Sequence, residues 1–328
     1  LLFCLGDMMN YKLEDVAEIA GVSKTTVSRV INKRGYLSQS TVDKVNNAMA
    51  ELNYQPNAAA QQLQKKKTNI VGLLFPSIAN PFFGELVETL EKKLYQKGYT
   101  VIVGDATQDA KKEEHYLRQL LSRQVDGLIV GTHNFNIQTY NKYHGLPIVS
   151  IERILNDEIP TIAVNNYQGG VLATEFLIEQ GAKKIIHTTD PLSNNMPSDQ
   201  RHQGYLDTMV KHHLVPVTWQ VDFEMSYAQK TANFKQMLQK HADVDAIFAS
   251  NDVEATQILP LVSKMPSKPL VIGFDGTQLI QAIFPNMPTI VQPINQLADI
   301  AIEVLEKRIA GEVIKTKYLL DVTLSTHR

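Results

Sequence analysis

The sequence predicts an all-α N-terminal headpiece followed by an α/β region of two lobes, each built on a doubly wound parallel sheet. Residues 13–64 carry the pattern of four short helices. Beyond Thr68, short apolar runs alternate with amphipathic helical runs, which is the pattern of parallel sheets flanked by helices. A chain of 328 residues is also too long for one ordinary core.

The α/β region contains ten strand candidates, which fit two sheets better than one. They are Ile70–Phe75, Thr100–Val103, Gly127–Val130, Pro147–Ile151, Ile162–Val164, Lys184–His187, Ala246–Ala249, Leu270–Gly273, Thr289–Val291 and Tyr318–Val322. The helical runs between them are Gly84–Gln96, Glu113–Arg123, Gly170–Glu179, Gln203–Lys211, Ala228–Gln239 and Asn295–Ile309. Several of these runs end at a glycine, a common helix C-cap.

The charge of the chain is unevenly distributed. Residues 9–67 hold nine Lys and Arg against five acidic residues, a net charge of +4. Since Asp7 adds −1, residues 68–328 must carry −5 to reach the total of −2. A basic head on an acidic body predicts that only the head meets a polyanion.

The N-terminus and the cysteine content indicate a cytoplasmic protein. Residues 1–6 are apolar but too short for a secretion signal, so we interpret residues 1–8 as an upstream extension, with Met8 or Met9 as the natural start. The sequence contains no run of 18 apolar residues, so no membrane span is predicted. The single cysteine, Cys4, excludes an internal disulfide.

The segment Leu13–Asn32 has the features of a helix-turn-helix. Gly21 permits a tight turn and Ser23 is placed to cap the second helix. Each helix has its own apolar face, formed by Val16, Ala17 and Ala20 and by Val27, Val30 and Ile31. The remaining face of the second helix carries short polar and cationic groups that suit a DNA major groove. A third helix is predicted to start at a capping box, Ser40–Asp43, and to end near Leu52.

Four stretches resemble the LacI/GalR family of repressors, and the resemblance extends over the chain from Met9. They are Asp15–Ser23, Thr26–Asn32, Leu52–Asn57 and Ala60–Leu63. The resemblance implies binding to palindromic operator DNA. The residues that it implies for DNA contact are Leu13, Ser23, Lys24, Thr25, Thr26, Ser28, Arg29, Asn32, Tyr54, Asn57, Ala60 and Leu63.

The segment Asn57–Gln64 matches the hinge helix of that family. Its alanines and glutamines favour a helix, but eight residues are too few for a stable isolated one. We therefore expect this helix to form only on DNA beside its twin. Leu63 would then be the apolar wedge inserted into the minor groove.

The rest of the chain resembles the periplasmic sugar-binding fold that the family shares, in which two lobes close over a ligand at strand ends. The expected domains are a headpiece (9–56), a hinge and linker (57–67), an N-terminal lobe (68–163 with 293–320) and a C-terminal, dimerising lobe (164–292 with 321–328). The effector-contacting positions that the resemblance implies are Phe82, Phe83, Glu152, Arg201, Phe223, Asn251 and Asp275. Asp252 is expected to cap the helix that follows it.

Three further stretches are most similar to the sucrose-operon repressors of Gram-positive bacteria: Lys33–Leu37, Ala79–Phe83 and Phe274–Thr277. This similarity implies sucrose, its 6-phosphate or fructose as the effector. The alternative is a global catabolite-type regulator or a ribose- or purine-responsive regulator of the same family, and a phosphorylated carrier protein is a further candidate partner.

Other functional classes are less consistent with the sequence. An enzyme would need a nucleophile–base set, a P-loop or a Gly-rich dinucleotide turn. The histidines lack metal-ligand spacing, so neither a metal nor a cofactor is predicted. An exported sugar-binding transport protein would share the sensor fold but would need a signal sequence and no headpiece.

The expected assembly is a homodimer. A palindromic operator requires a two-fold protein, and the small polar headpiece is a poor dimer interface. Tetramers of the family use an extra C-terminal leucine heptad helix. The sequence ends at Thr323–Arg328 without an apolar 3.5-residue repeat, so a tetramer is not expected.

Overall fold

The computed structural model describes residues 11–32, 34–56, 67–106, 109–131, 134, 137–142, 144–191, 197–223 and 225–326. The chain divides into two compact units, Leu1–Thr68 and Asn69–Arg328. The predicted hinge helix, including Asn57, Ala60 and Leu63, lies outside the described residues.

The first unit is a three-helix headpiece: α1 (Leu13–Ala20), α2 (Lys24–Ile31) and α3 (Gln39–Glu51). Gly21 ends α1 in the left-handed conformation, with φ of 65°, which glycine adopts without steric cost. Ser23 caps α2 by accepting a hydrogen bond from the Thr26 amide at 3.1 Å. The core between the helices consists of Val16, Ala17, Ala20, Val27, Val30, Val45 and Ala48.

The start of α3 differs from the sequence prediction. Ser38, and not Ser40, is the N-cap, and its hydroxyl accepts from the Thr41 amide at 3.2 Å. Both serines precede a helical pattern, but a cap requires extended backbone dihedral angles, which Ser38 has and a residue inside the helix lacks. The predicted capping box at Ser40–Asp43 is therefore wrong by two residues.

The second unit alternates strands and helices. Its strands are β1 (Ile70–Phe75), β2 (Thr100–Asp105), β3 (Gly127–Val130), β4 (Ile148–Ile151), β5 (Thr161–Val164), β6 (Ile185–Thr189), β7 (Val217–Gln220), β8 (Ala246–Phe248), β9 (Leu270–Asp275), β10 (Thr289–Val291), β11 (Lys317–Leu320) and β12 (Thr323–Ser325). Its helices are α4 (Pro81–Gln96), α5 (Ala110–Leu121), α6 (Thr139–Lys142), α7 (Asn166–Glu179), α8 (Pro197–Lys211), α9 (Tyr227–Lys240), α10 (Asp252–Val262), α11 (Gln278–Ile283) and α12 (Ile294–Ile309).

The strands form two six-stranded sheets, one in each lobe. The first sheet has the order β11-β5-β4-β3-β1-β2 and is parallel throughout; the second has the order β12-β10-β9-β8-β6-β7, and only β12 is antiparallel to its neighbour. The predicted fold class is confirmed. The chain passes between the lobes three times, after β5, β10 and β11.

Two strands and three helices of the described second unit were not predicted, and one of these helices, α6, spans only four residues. The edge strand β7 alternates half-buried and exposed residues, and β12 has only three residues, so neither carries an apolar run. Helix α10 contains Pro260, which weakens a helical pattern, and α11 spans only six residues. None of the described helices combines the length and apolar character that a membrane crossing requires.

Candidate DNA-reading surface and interlobe cleft

The outer face of α2 forms a shallow, polar concavity on the headpiece. The residues that line it are Leu13, Lys24, Thr25, Ser28, Arg29, Asn32 and Arg34. All of them except Arg34 were predicted to contact DNA. The buried face of α2 packs on the core through Val27 and Val30, and this packing directs the polar face outward.

Hydrogen bonds hold this face in place while leaving cations at its rim. Lys24 Nζ lies 2.5 Å from a Glu14 carboxylate oxygen, and this hydrogen bond lowers the pKa of Glu14. The Asn32 amide donates to the Ser28 carbonyl at 2.8 Å. Lys24 and Arg29 remain exposed, so a polyanion can reach both, and at Lys24 it would compete with Glu14.

Three of the other predicted DNA contacts also belong to the headpiece. Ser23 uses its hydroxyl oxygen to cap α2, and that oxygen lies 2.9 Å from the Thr26 hydroxyl. Tyr54 packs against the headpiece core, and burial raises the pKa of its hydroxyl. These contacts give Ser23 and Tyr54 structural roles in addition to the predicted ones.

The second unit contains a cleft where strand ends of both lobes meet, a common location for small-molecule sites. Its polar side chains follow the carboxyl ends of strands, as expected for parallel sheets. The lining residues are Asn80, Phe82, Phe83, Gly131, Ile151, Glu152, Arg153, Asp190, Arg201, Phe223, Ser250, Asn251, Asp275 and Gln292. All seven predicted effector residues are among them.

Aromatic rings form an apolar wall of the cleft. Phe82 and Phe83 open α4 and are 5% and 8% exposed, with ring centroids 5.2 Å apart. Phe83 also packs on Phe75 of β1. The pair therefore belongs to the core and to the cleft, and such a wall suits the C–H faces of a sugar ring. Phe223 adds an aromatic group from the second lobe.

Arg201, on α8, is held on three sides. Its guanidinium lies 3.6 Å from the centroid of the Phe274 ring. Its Nε donates to Asn166 Oδ1 and its Nη1 to the Ser250 carbonyl, both at 2.7 Å. Burial lowers the pKa of Arg201, and the carboxylate of Asp275 opposes that shift most strongly.

Close packing of two helices sets the position of Arg201. A Cβ atom on Gly170 of α7 would lie 2.1 Å from the Arg201 carbonyl oxygen. One on Gly204 of α8 would lie 2.2 Å from the Tyr167 carbonyl. Glycine at both positions lets the two backbones approach closely enough to bring Arg201 to the cleft.

Glu152 faces the cleft from the first lobe. It follows β4 with a φ of 64°, an uncommon conformation for a residue other than glycine. Its carboxylate accepts from the Val164 amide at 2.6 Å and from the Asn166 amide group at 2.8 Å. Burial raises its pKa. Asn166 thereby links Glu152 of one lobe to Arg201 of the other.

Asp275 ends β9 inside the cleft, is 6% exposed and has a φ of 132°. Gln292 donates to its carboxylate at 2.8 Å. Burial and the neighbouring Asp252 carboxylate raise the pKa of Asp275 to about 8, while Arg201 opposes the shift. The site therefore presents a buried acceptor that is costly to ionise when empty.

The cap of α10 is Asn251, whose side-chain oxygen accepts from the Glu254 amide at 3.0 Å. The expectation that Asp252 caps this helix is wrong. Asp252 is the first helical residue, and its carboxylate accepts from the Gly276 amide at 2.8 Å and the Thr289 hydroxyl at 2.6 Å. It fixes the loop that carries Asp275, while Asn251 both caps α10 and lines the cleft.

Sequence reasoning missed several residues of the cleft. Asp190 follows β6 directly, and burial raises its pKa to about 6. Asp275, which the family resemblance implied, also follows a strand candidate, and that pattern was available for Asp190 as well. The other missed polar residues are Asn80, Arg153, Ser250 and Gln292 in the lining and Asn166 behind it. Within the described parts of the chain, no group of three or more His, Cys, Asp or Glu side chains could hold a metal ion.

Comparison with known proteins identifies both units. Residues 12–57 match the model of bacterial regulatory proteins of the lacI family. Residues 68–264 match periplasmic binding proteins and the sugar binding domain of the LacI family. The chain belongs to the LacI family. The resemblance predicted from the sequence is therefore confirmed.

Two LacI-family relatives are sucrose operon repressors. That of Lactococcus lactis subsp. lactis is 41% identical, covering 95% of this chain and 98% of the relative. That of Pediococcus pentosaceus is 42% identical, covering 96% and 98%. The chain is thus a LacI-family repressor and a homologue of sucrose operon repressors.

Solved LacI-family structures share the fold. The Lac repressor dimer bound to operator and the anti-inducer ONPF has a TM-score of 0.83 at 27% identity, covering 96% of this chain and 97% of that one. A periplasmic binding protein/LacI transcriptional regulator from Alkaliphilus metalliredigens QYMF, complexed with D-xylulofuranose, has a TM-score of 0.67 at 29% identity, covering 79% and 99%.

Proposed function

We propose that this LacI-family chain represses a carbohydrate-utilisation operon and that a sugar in the interlobe cleft controls its affinity for operator DNA. The observation that carries the proposal is the cleft itself, where an aromatic wall faces buried carboxylate, amide and guanidinium groups. Sugars need this combination, because their C–H faces are apolar and their hydroxyls both donate and accept hydrogen bonds.

The headpiece supplies the second half of the proposed function. Lys24, Thr25, Ser28, Arg29 and Asn32 would read base edges in the major groove. The predicted contacts outside the described residues, Asn57, Ala60 and Leu63, would act at the minor groove. Two heads would be needed, one for each half of a palindromic site.

Sucrose, fructose or a phosphate of either is the proposed effector class, because the relatives named above are sucrose operon repressors. The alternative is a ribose- or purine-responsive regulator with the same pocket chemistry. No enzymatic activity and no cofactor are proposed. Regulation by a phosphorylated carrier protein stays a separate proposal.

Deletion of residues 9–67 tests whether the first unit binds operator DNA and the second unit binds the sugar. The shortened chain should no longer shift operator DNA and should retain sugar binding, because the cleft belongs wholly to the second unit. A thermal-shift screen of sugars and sugar phosphates on the full chain identifies candidate effectors. The same compounds are then tested for whether they reduce operator binding. Operator binding by the shortened chain would contradict the headpiece assignment.

A further inference from the structure

We infer that the cleft selects an uncharged sugar and rejects the phosphorylated form of the same sugar. This inference rests on the proposed function and narrows its effector class. It follows from the charges that face the cleft. It also follows from the protein groups that already interact with the two cations there, Arg153 and Arg201.

Carboxylates outnumber cations among the described lining residues. Glu152, Asp190 and Asp275 contribute three acidic groups, and Arg153 and Arg201 contribute two basic ones. A fourth carboxylate, that of Asp252, lies behind Asp275 and raises its pKa. Since burial raises the pKa of Asp275 to about 8, this group is largely protonated near neutral pH, and the lining then holds at most two anions against two cations. A phosphate dianion would therefore enter a site without a surplus of positive charge.

Arg201 is already committed to protein partners. Two of its N–H groups bond to Asn166 and to the Ser250 carbonyl, and the Phe274 ring covers one face of its guanidinium. The carboxylates of Asp275, Glu152 and Asp190 all act on its pKa. Its remaining donors can bond a sugar hydroxyl, but its charge is offset before any ligand arrives.

Arg153 is opposed by a buried acid. It is 7% exposed, and burial lowers its pKa while the Glu113 carboxylate opposes that shift. Glu113 is fully buried and is fixed by the Tyr140 hydroxyl at 2.5 Å and the Asn134 amide at 2.8 Å. These hydrogen bonds fix the position of the Glu113 carboxylate, which acts electrostatically on Arg153.

The other features that attract anions are also neutralised. Lys230, close to the Phe223 ring, forms a buried ion pair with Glu254 at 3.0 Å. The N-terminal turn of α10, which could attract an anion through its amides, carries Asp252 and Glu254. Sequence positions 132–133, 135–136, 192–196 and 224, which neighbour cleft residues along the chain, include no Lys or Arg.

These charges favour a neutral sugar over a phosphorylated one. A phosphate must give up its hydration on entering a buried site, and only an uncompensated cation repays that cost. Sugar hydroxyls, in contrast, can donate to the three carboxylates and accept from the remaining Arg201 donors. The cleft therefore offers a neutral sugar its hydrogen bonds and offers a phosphate no surplus cation that would repay the loss of its hydration.

Calorimetric titration of the full chain with two matched pairs tests the inference: fructose against fructose 6-phosphate, and sucrose against sucrose 6-phosphate. The member of a pair without phosphate should bind at least about tenfold more tightly, or be the only one that binds. Asp190→Asn and, as a second variant, Glu152→Gln should each narrow that ratio, since each removes one negative charge. Asp157→Asn, at an exposed position, should leave the ratio unchanged.

The possible failures are distinguishable. Equal or tighter binding of the phosphorylated sugar would overturn the inference and leave the proposed function intact. If neither member of either pair binds while the chain still shifts operator DNA, the sucrose-type effector fails and the inference fails with it. A ratio that neither charge-removing variant narrows would also contradict the electrostatic cause.

Discussion

Single side chains hold the cleft together across the two lobes. The Asn166 amide donates to Glu152 and its oxygen accepts from Arg201, so one uncharged residue orients an acid from one lobe and a base from the other. Within the second lobe, Asp252 holds the Asp275 loop by accepting from the Gly276 amide. Both are buried polar groups whose hydrogen bonds are satisfied, as the cost of burial requires.

At the residue scale, Asp275→Asn should weaken effector binding while operator affinity stays near normal. The amide keeps the shape of the side chain, but it exchanges an oxygen that can accept from a sugar hydroxyl for an NH2 group that can only donate. A hydrogen bond contributes about 0.5–1.5 kcal/mol. Titration of sugar and operator separately measures both effects, with Asp157→Asn as the exposed control. Unchanged sugar affinity would remove Asp275 from the site.

The raised pKa of Asp275 also predicts how stability depends on pH. Because burial and Asp252 raise the folded-state pKa to about 8, the folded state binds this proton more tightly than the unfolded chain does. The contribution of Asp275 to the free energy of unfolding is full below about pH 4, which is near the pKa of an aspartate in the unfolded chain. It is lost as the pH rises through the folded-state pKa of about 8.

The measurement is the melting temperature of wild type and Asp275→Asn at about pH 5 and pH 8.5. The variant lacks the ionisable group, so its stability relative to wild type should increase as pH rises. The neighbouring charges, on Asp252, Glu152 and Arg201, remain in both proteins. A difference that does not change with pH would refute the prediction.

At the scale of elements, α3 shows how a cap is chosen. Ser38→Ala should destabilise the start of α3 by about 1 kcal/mol, because it removes the acceptor of the Thr41 amide. Ser40→Ala, on the exposed side of the first turn, is the matched control and should have little effect. Amide hydrogen exchange in residues 39–51, followed by mass spectrometry, reports the difference. Faster exchange in Ser40→Ala than in Ser38→Ala would contradict the assignment of the cap.

At the scale of the whole molecule, the three passages between lobes place α12 and β11 in the first lobe and β12 in the second. This arrangement makes the lobes neighbours around a cleft without a long linker between them. It also lets hydrogen bonds across the cleft, such as those of Asn166, act between elements distant in sequence.

The full chain is expected to form a dimer, since a palindromic operator requires two heads related by a two-fold axis. The second unit offers surface for this assembly: Leu279 and Ile283 of α11 are 57% and 58% exposed. Sedimentation at micromolar concentration should show a species of twice 36.8 kDa. A stable monomer under those conditions would also weaken the palindrome argument.

The sequence by itself determined the helix-turn-helix, the fold class and the central strands, because these depend on local signals. Fully apolar strands such as β3 and β4 and the turn at Gly21 can be read within a few residues. The family resemblance implied Asp275 and Asn251, and both also lie just beyond predicted strands.

Only the tertiary structure decided which side chains share one environment. The roles of Asn166, Asp190 and Asp252 depend on partners contributed by other strands and helices, and the edge strands β7 and β12 form because a neighbouring strand completes their hydrogen bonds. The electrostatic effect of Glu113 on Arg153 acts between α5 and the segment that follows β4. Such long-range contacts leave no periodic signal in the sequence, because their energy comes from burial and from partners that only the folded chain brings together.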